Sequence, residues 1–298
     1  MPVGTPACAF PRTSDRKSSM SQVPTCILSS FEAPQVIHGH QLDQFVQIGS
    51  LTKALTGTVL VRLASAGVLQ LDDPLEQFLP VPTGTGITLR HLAEHTAGLP
   101  RVPPRLRRLD PYASFDAQAL DAVVHRLDSL TTSAPGEAEE YSNLGYAILG
   151  AALSSAARTP YEDLLNQYVL TPLDVSEVTS DPPQDRRLRG RGLFGRPRRP
   201  WTMNGAILPA GGLWATPRAA ARLVTTLLVD RKLGDPAPSW QTSGPLLWHN
   251  GATRDDSVFA GAMTDGRWVL VHRLSGPPEA TDNLAIEILK NAGTEPPL

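Results

Sequence analysis

The heptapeptide Gln47-Ile48-Gly49-Ser50-Leu51-Thr52-Lys53 places a serine three residues ahead of a lysine, at the opening of the first strongly patterned helix. From Ser50 to about residue 65, Leu51, Leu55, Val59 and Leu63 recur every fourth residue and Ala54, Val61 and Ala64 widen the apolar face. Gly67 follows as a terminator. Three apart in the first turn, Ser50 and Lys53 project to the same side of the helix. Free backbone N–H groups and the helix dipole favour negative charge there, which assists formation of a serine alkoxide. Lys53 sits among Leu51, Ala54 and Leu55, so loss of hydration favours its neutral form and a role in moving a proton. The spacing alone is weak, because Ser14 and Lys17 share it amid Pro11, Asp15 and Arg16 with no apolar face to bury a site. Taken singly, Ser50 also reads as an N-cap serine followed by a helix lysine.

Upstream, residues 1–24 combine proline, serine and charge and read as an irregular leader. Short extended segments are predicted at 25–31 and 35–38, separated by a turn at 32–34. Downstream, helices are predicted over 89–95, 115–127, 143–157, 161–169 and 216–228, with a polar loop at 132–140. Strands are predicted at 246–249, 257–263 and 268–272, and a last helix over 282–290. Thr264-Asp265-Gly266 joins the last two strands, its Asp-Gly pair supplying the positive φ angles of a tight turn. Strands at both ends with helices between predict an α/β (α+β) protein. Its antiparallel sheet is assembled from the N- and C-terminal portions, packed against the last helix, with a mainly helical lobe inserted. In residue terms, 25–298 form a single domain, with 25–75 and about 205–298 in the α/β region and about 76–204 in the lobe. Between 181 and 200 the chain holds Arg186, Arg187, Arg189, Arg191, Arg196, Arg198 and Arg199, either a basic lid or anion-binding patch, or a solvated loop over one face.

Other side chains suited to the chemistry lie far from Ser50 along the chain. Tyr141, Ser142 and Asn143 stand where the polar loop meets a helix. A phenol of pKa near 10 serves as a base only beside positive charge such as Lys53. Asn143 can donate one hydrogen bond and accept another, which suits it to orienting the lysine and a substrate amide or ester. His249, Asn250 and Gly251 follow the apolar run Leu246-Leu247-Trp248. A strand edge there can offer a backbone N–H to an oxyanion and align a substrate as an added strand, His249 can donate to a substrate carboxylate or to Tyr141, and Gly251 permits close backbone approach. Each set has a plainer alternative: a packed tyrosine beside a capping asparagine, or an ordinary turn after a strand.

Bulk composition narrows the field. With 298 residues, 41% of them hydrophobic, the chain can build a substantial core. Its 27 lysines and arginines against 29 acidic residues give a formal charge of −2, so no global field draws it to nucleic acid or an anionic membrane. Two cysteines, Cys8 and Cys26, make neither a disulfide framework nor a cysteine metal cluster. His91 and His95 are spaced for one helix face, but Glu94 is misplaced for the zinc-protease pattern His-Glu-x-x-His, so no metal is expected. No apolar run is long enough for a membrane span, and none near the start forms a signal-peptide core, which makes a cytoplasmic location the default expectation.

Taken in order, these elements resemble the serine beta-lactamase and penicillin-binding-protein superfamily, in particular its class C-like, D,D-peptidase-like and esterase-like members. The likeness runs from Phe45 onward. It rests on Gln47 to Lys53 continuing into Gly67-Val68-Leu69-Gln70-Leu71-Asp72-Asp73-Pro74, and on Ile87-Thr88-Leu89-Arg90-His91-Leu92-Ala93-Glu94-His95-Thr96-Ala97-Gly98-Leu99-Pro100. Tyr141-Ser142-Asn143-Leu144-Gly145-Tyr146, Ala210-Gly211-Gly212-Leu213-Trp214-Ala215-Thr216 and His249-Asn250-Gly251 complete it. The resemblance implies Ser50 as the acylated nucleophile, with Lys53 and Tyr141 exchanging protons with it and the leaving group. Asn143 would position groups, and His249 would replace the third-motif cation or donor, where many beta-lactamases have lysine. The N–H groups of Ser50 and a residue near Ala252 would form the oxyanion hole, with Asn250, Gly251 and Ala252 lining the substrate, and His91 and His95 would support the fold.

The implied reaction is attack on an ester, amide or lactam in a small-molecule or peptide-like acyl substrate, with no metal or organic cofactor and with His249 favouring esters. Transfer of the acyl group to an alcohol or amine is the nearest alternative, and a catalytically weak binding or scaffold protein the alternative of another class. The segment Ala252-Thr253-Arg254-Asp255-Asp256-Ser257 departs from the family, replacing a glycine-rich and aromatic stretch with charge.

Overall fold

A computed structural model describes residues 23–190 and 196–292. Most of the leader expected over 1–24, the Ser14–Lys17 pair, Cys8 and Arg191 lie outside the described residues.

The chain starts with β1 (Thr25–Ser29), β2 (Gln35–Ile37) and β3 (Val46–Gln47). A 3₁₀ turn at Gly49–Leu51 feeds α1 (Thr52–Ser65). The lobe holds α2 (Leu89–Ala93), α3 (Ala117–Val124), α4 (Asn143–Ala157), α5 (Tyr161–Leu165) and α6 (Thr171–Leu173). Then come β4 (Val178–Thr179), α7 (Leu208–Gly211), β5 (Trp214–Ala215) and α8 (Pro217–Val224). Four strands, β6 (Gln241–Ser243), β7 (Leu246–Ala252), β8 (Asp256–Met263) and β9 (Trp268–Leu274), precede α9 (Pro278–Asn291).

The main sheet is antiparallel, in the order β2-β1-β9-β8-β7-β6, so the N-terminal hairpin adds to the C-terminal meander as the strand pattern predicts. Gly266, at φ +90°, closes the β8–β9 turn at the Asp-Gly pair. Alternation along β8 sorts its two faces: Phe259 joins Val269, Val271, Ala285 and Leu289 under α9, whereas Val258, Ala260 and Ala262 join the larger core shared with the helices. A second, three-stranded sheet, β3-β5-β4, ties the segment before Ser50 to the 214–215 strand. Strands of two or three residues carry no readable alternation, which is why β3, β4, β5 and β6 were not predicted.

Helix α1 runs through the centre, with every residue from Thr52 to Leu60 buried. Each fully buried leucine there contributes roughly 1.5–3 kcal/mol of transfer free energy. Some boundaries differ from the sequence prediction for local reasons. Helix α3 starts at Ala117 because the Asp116 side chain accepts the Ala119 N–H, and α2 ends at Ala93, ahead of His95, whose φ of +60° reverses the chain. Strand β7 runs through Gly251 to Ala252, so the third motif lies inside a strand, not in a turn after it.

The arginine-rich stretch is fastened in several places. Arg186 pairs with Glu177 and Arg187 with Asp181, both at 2.5 Å, and Arg198 reaches Asp255 at 2.8 Å. Among the described residues no helix is long and apolar enough to cross a membrane.

Candidate active site

Two glycines let the start of α1 press against β7. A side chain at Gly251 would meet the Ile48 carbonyl at 2.2 Å and the Ser50 nitrogen at 2.9 Å, and one at Gly49 would lie 2.9 Å from the Ala252 nitrogen. Gly49 also has φ +49°, a conformation other residues rarely adopt. The backbone around Ser50 is thereby held against the backbone of Gly251 and Ala252. Strand β6 pairs with β7 only at Leu246 to Trp248, so the edge from His249 onward has no β6 partner.

Lys53, one turn further on, is 0% exposed. Its Nζ donates to Asn143 Oδ1 at 2.7 Å and to the Ala210 carbonyl at 2.6 Å, and lies 3.2 Å from Ser50 Oγ. Burial holds its pKa well below the usual lysine value, and the nearby Arg101 guanidinium pushes the same way. A neutral amine has two N–H bonds and one lone pair. The two carbonyl oxygens take the N–H bonds, and the lone pair is left for the Ser50 hydroxyl.

Tyr141 and Asn143 reach the same point because Ser142 between them is clamped. The Ser142 hydroxyl donates to the Pro100 carbonyl at 2.7 Å and accepts the Gly145 N–H at 2.8 Å, capping α4, while its own N–H donates to His95 Nδ1 at 3.1 Å. Tyr141 Oη donates to Ser50 Oγ at 2.5 Å. Burial pushes the phenol up to about 12, only partly offset by its bond to Ser50. Resting Tyr141 is thus protonated and a proton donor to the serine. Asn143 donates through Nδ2 to Tyr112 Oη at 3.0 Å, which aims its oxygen at Lys53.

His249 is 1% exposed, and its ring stands edge-on to Trp240. Nδ1 lies 2.6 Å from the Asn250 carbonyl, and no hydrogen bond joins His249 to Tyr141. Burial lowers its pKa to about 4, so at neutral pH the His249 ring is uncharged. Asn250 requires a correction. Strand alternation turns its side chain to the other face of the sheet, where Nδ2 donates to Asp282 on α9 at 2.8 Å, so only its backbone remains at the cleft.

His91 and His95 bond to backbone. His91 Nδ1 accepts the Thr88 N–H at 3.2 Å in a capping box, and His95, lowered to about 3 chiefly by burial, accepts from Ser142. Among the described residues no group of three or more histidines, cysteines or acids is placed to hold a metal.

Sequence reasoning missed Arg101, Tyr112 and the Ala210 carbonyl as parts of the site. Arg101 sits 5.0 Å over the Tyr141 ring, and its carbonyl accepts the Asn143 N–H at 2.8 Å. Its position directly after Gly98-Leu99-Pro100 was the available signal. The Ala210 carbonyl belongs to the stretch 210–216, already singled out as following the family pattern.

A 3₁₀ turn carrying Ser50 that leads into a central α1 carrying Lys53, a Tyr141-Ser142-Asn143 clamp and a β7 edge unpaired with β6 from His249 onward define the beta-lactamase and transpeptidase class of fold. The beta-lactamase family model matches residues 33–279, and the chain belongs to that family. It is 36% identical over 189 residues to the D-alanyl-D-alanine-carboxypeptidase/endopeptidase AmpH of Escherichia coli K12, covering 59% of this chain and 47% of that protein. It is 27% identical to penicillin-binding protein 4* of Bacillus subtilis, covering 46% of this chain and 30% of the relative. The chain thus spans half or less of the length of these curated relatives.

Among solved structures, a beta-lactamase/D-alanine carboxypeptidase from Yersinia pestis superposes with a TM-score of 0.74 at 21% identity, over 90% of this chain and 92% of that one. A D-amino acid amidase from Ochrobactrum anthropi gives 0.73 at 20% identity, over 91% and 94%. At these identities the likeness establishes the fold.

Proposed function

We propose that this protein is a serine hydrolase working through an acyl-enzyme on Ser50, and that it cleaves short peptide-like amides ending in a free carboxylate. The observation that carries this reading is the double approach to Ser50 Oγ, from Tyr141 at 2.5 Å and from the fully buried Lys53 at 3.2 Å.

In acylation, Ser50 loses its proton to the Lys53 lone pair as Oγ bonds to the substrate carbonyl carbon. The carbonyl oxygen becomes an oxyanion, received by the N–H groups of Ser50 and Ala252. Tyr141 gives its proton to the leaving group as the scissile bond breaks, and the Lys53 ammonium restores it. Water then enters in place of the leaving group and surrenders a proton along the same path, which releases the acid and frees Ser50.

Substrate class follows from charge. His249, held neutral by burial, supplies no positive charge at the third motif. Arg101 supplies one, beside Tyr141 at the exposed mouth of the site. A carboxylate next to the scissile bond is the complementary group, which agrees with the carboxypeptidase activity in the name of the relative AmpH. Activated esters serve as convenient surrogates, since they need less help with the leaving group.

The test is intact-mass analysis after exposure to a fluorophosphonate and to an activated ester, for the native chain, S50A and K53A. One adduct per chain on Ser50, absent in S50A and strongly slowed in K53A, is expected. A folded native chain that takes no adduct, or an S50A chain that is labelled as fast, would overturn the reading.

A further inference from the structure

The segment that departs from the family pattern, 252–257, turns its two aspartates inward and joins the stretches of chain around Ser50 and Ala252. Asp256 is 7% exposed. One carboxyl oxygen accepts the N–H of Gln47, three residues before Ser50, at 3.3 Å. The other accepts the hydroxyl of Thr253, the residue after Ala252, at 3.2 Å. Thr253 closes the turn from its own side: its N–H donates to the Asp256 carbonyl at 2.9 Å, and its Oγ1 accepts the Asp256 N–H at 3.3 Å.

Behind Asp256 lies a sealed row of rings. His272 Nε2 is 3.2 Å from Asp256 Oδ1, at an angle too bent for a full hydrogen bond, and His272 Nδ1 is 2.8 Å from His40 Nε2. His40 Nδ1 accepts the Gln41 N–H at 2.8 Å, and both rings are almost completely buried. Next door, Asp255 accepts Arg198 at 2.8 Å, and its carbonyl accepts the Ser275 N–H at 2.5 Å, so the turn is tied from outside as well.

From this geometry we infer that Asp256, acting through Thr253 and Gln47, is a positioning residue that sets the spacing of the Ser50 and Ala252 N–H groups. The inference rests on the acyl-serine reading above. Its physical basis is that oxyanion donors work only when fixed at the place where charge develops, and small displacements cost large factors in rate. Neither donor segment is held by helix or sheet bonds alone at this point: Gly49 and Ser50 lie in a 3₁₀ turn, and β7 ends at Ala252.

The test compares native enzyme with T253V, T253S and D256A in turnover of p-nitrophenyl acetate and inhibition by phenylboronic acid, whose serine adduct carries a negative oxygen in the same place. Circular dichroism and Tm check folding. T253V is expected to lose about tenfold in kcat with KM little changed and to weaken boronate inhibition by a similar factor, while T253S keeps both near native. D256A is expected to lose roughly a hundredfold where it folds; T253V decides the matter where it does not. Folded T253V with native kcat and native boronate affinity would overturn the inference, as would a loss confined to KM, while native enzyme that still labels on Ser50 would leave the acyl-serine reading standing. No Ser50 labelling in native enzyme would overturn both.

Discussion

Two polar clusters, one partly and one almost wholly buried, lie beside the same pair of chain segments. On the cleft side, Ser50, Lys53, Tyr141 and Asn143 meet within hydrogen-bond range; on the sealed side, Asp256, His272 and His40 do so. Burial acts alike in both, suppressing the charge of Lys53 in one and of His40, lowered to about 3, in the other. They differ in what lies beyond. The first cluster faces a strand edge without a β6 partner and the Arg101 charge, so a proton moved within it can reach a substrate. The second ends in backbone, so it can only hold position. Desolvation prepares a group for chemistry only where a reacting partner can arrive.

The sharpest way to break this contrast is to remove one group from each cluster. K53M is expected to reduce kcat/KM by about 10³, the scale of a lost general base. H40Q, at the far end of the sealed row, is expected to stay within about threefold of native turnover and to lower Tm instead. Equal losses of turnover from the two, measured with one activated ester, would erase the distinction.

A smaller effect tests the cleft side alone. R101A is expected to cost about tenfold in kcat/KM for a peptide-like substrate with a free carboxylate and almost nothing for its neutral amide, the size of one screened charge-assisted contact. Comparing the two substrates at low and high salt checks it.

The smallest effect joins the clusters through pH. His40 and His95, both lowered to about 3, and His249, lowered to about 4, refuse protons in the native state that the unfolded chain accepts below its ordinary value of 6.5. Each therefore contributes stability that is fully present above 6.5 and is lost as pH falls toward the native value. Between 6.5 and about pH 5, above the ordinary carboxylate range, the urea midpoint is expected to fall, with proton uptake on unfolding rising toward three. H40Q and H249Q should each remove about one proton from that uptake. A midpoint flat over this range would show that these rings are not held neutral.

The sequence by itself determined the order of motifs, the helix that follows Ser50, the loop-to-helix junction at 141–143 and the β8–β9 hairpin. All are written in short-range spacing, which local backbone geometry reads directly. Only the tertiary structure decided that burial lowers the pKa of His249, that Tyr141 donates to Ser50, that Asn250 faces α9, that Arg101 lies over the Tyr141 ring and that Asp256 bonds to Gln47. The reason is that protonation and facing depend on which distant segments exclude water and which side of a strand they cover. Lys53 is sealed by residues as far off as Asn143 and Ala210, and Asp256 answers to His272 and Gln47. No local pattern encodes contacts across such separations.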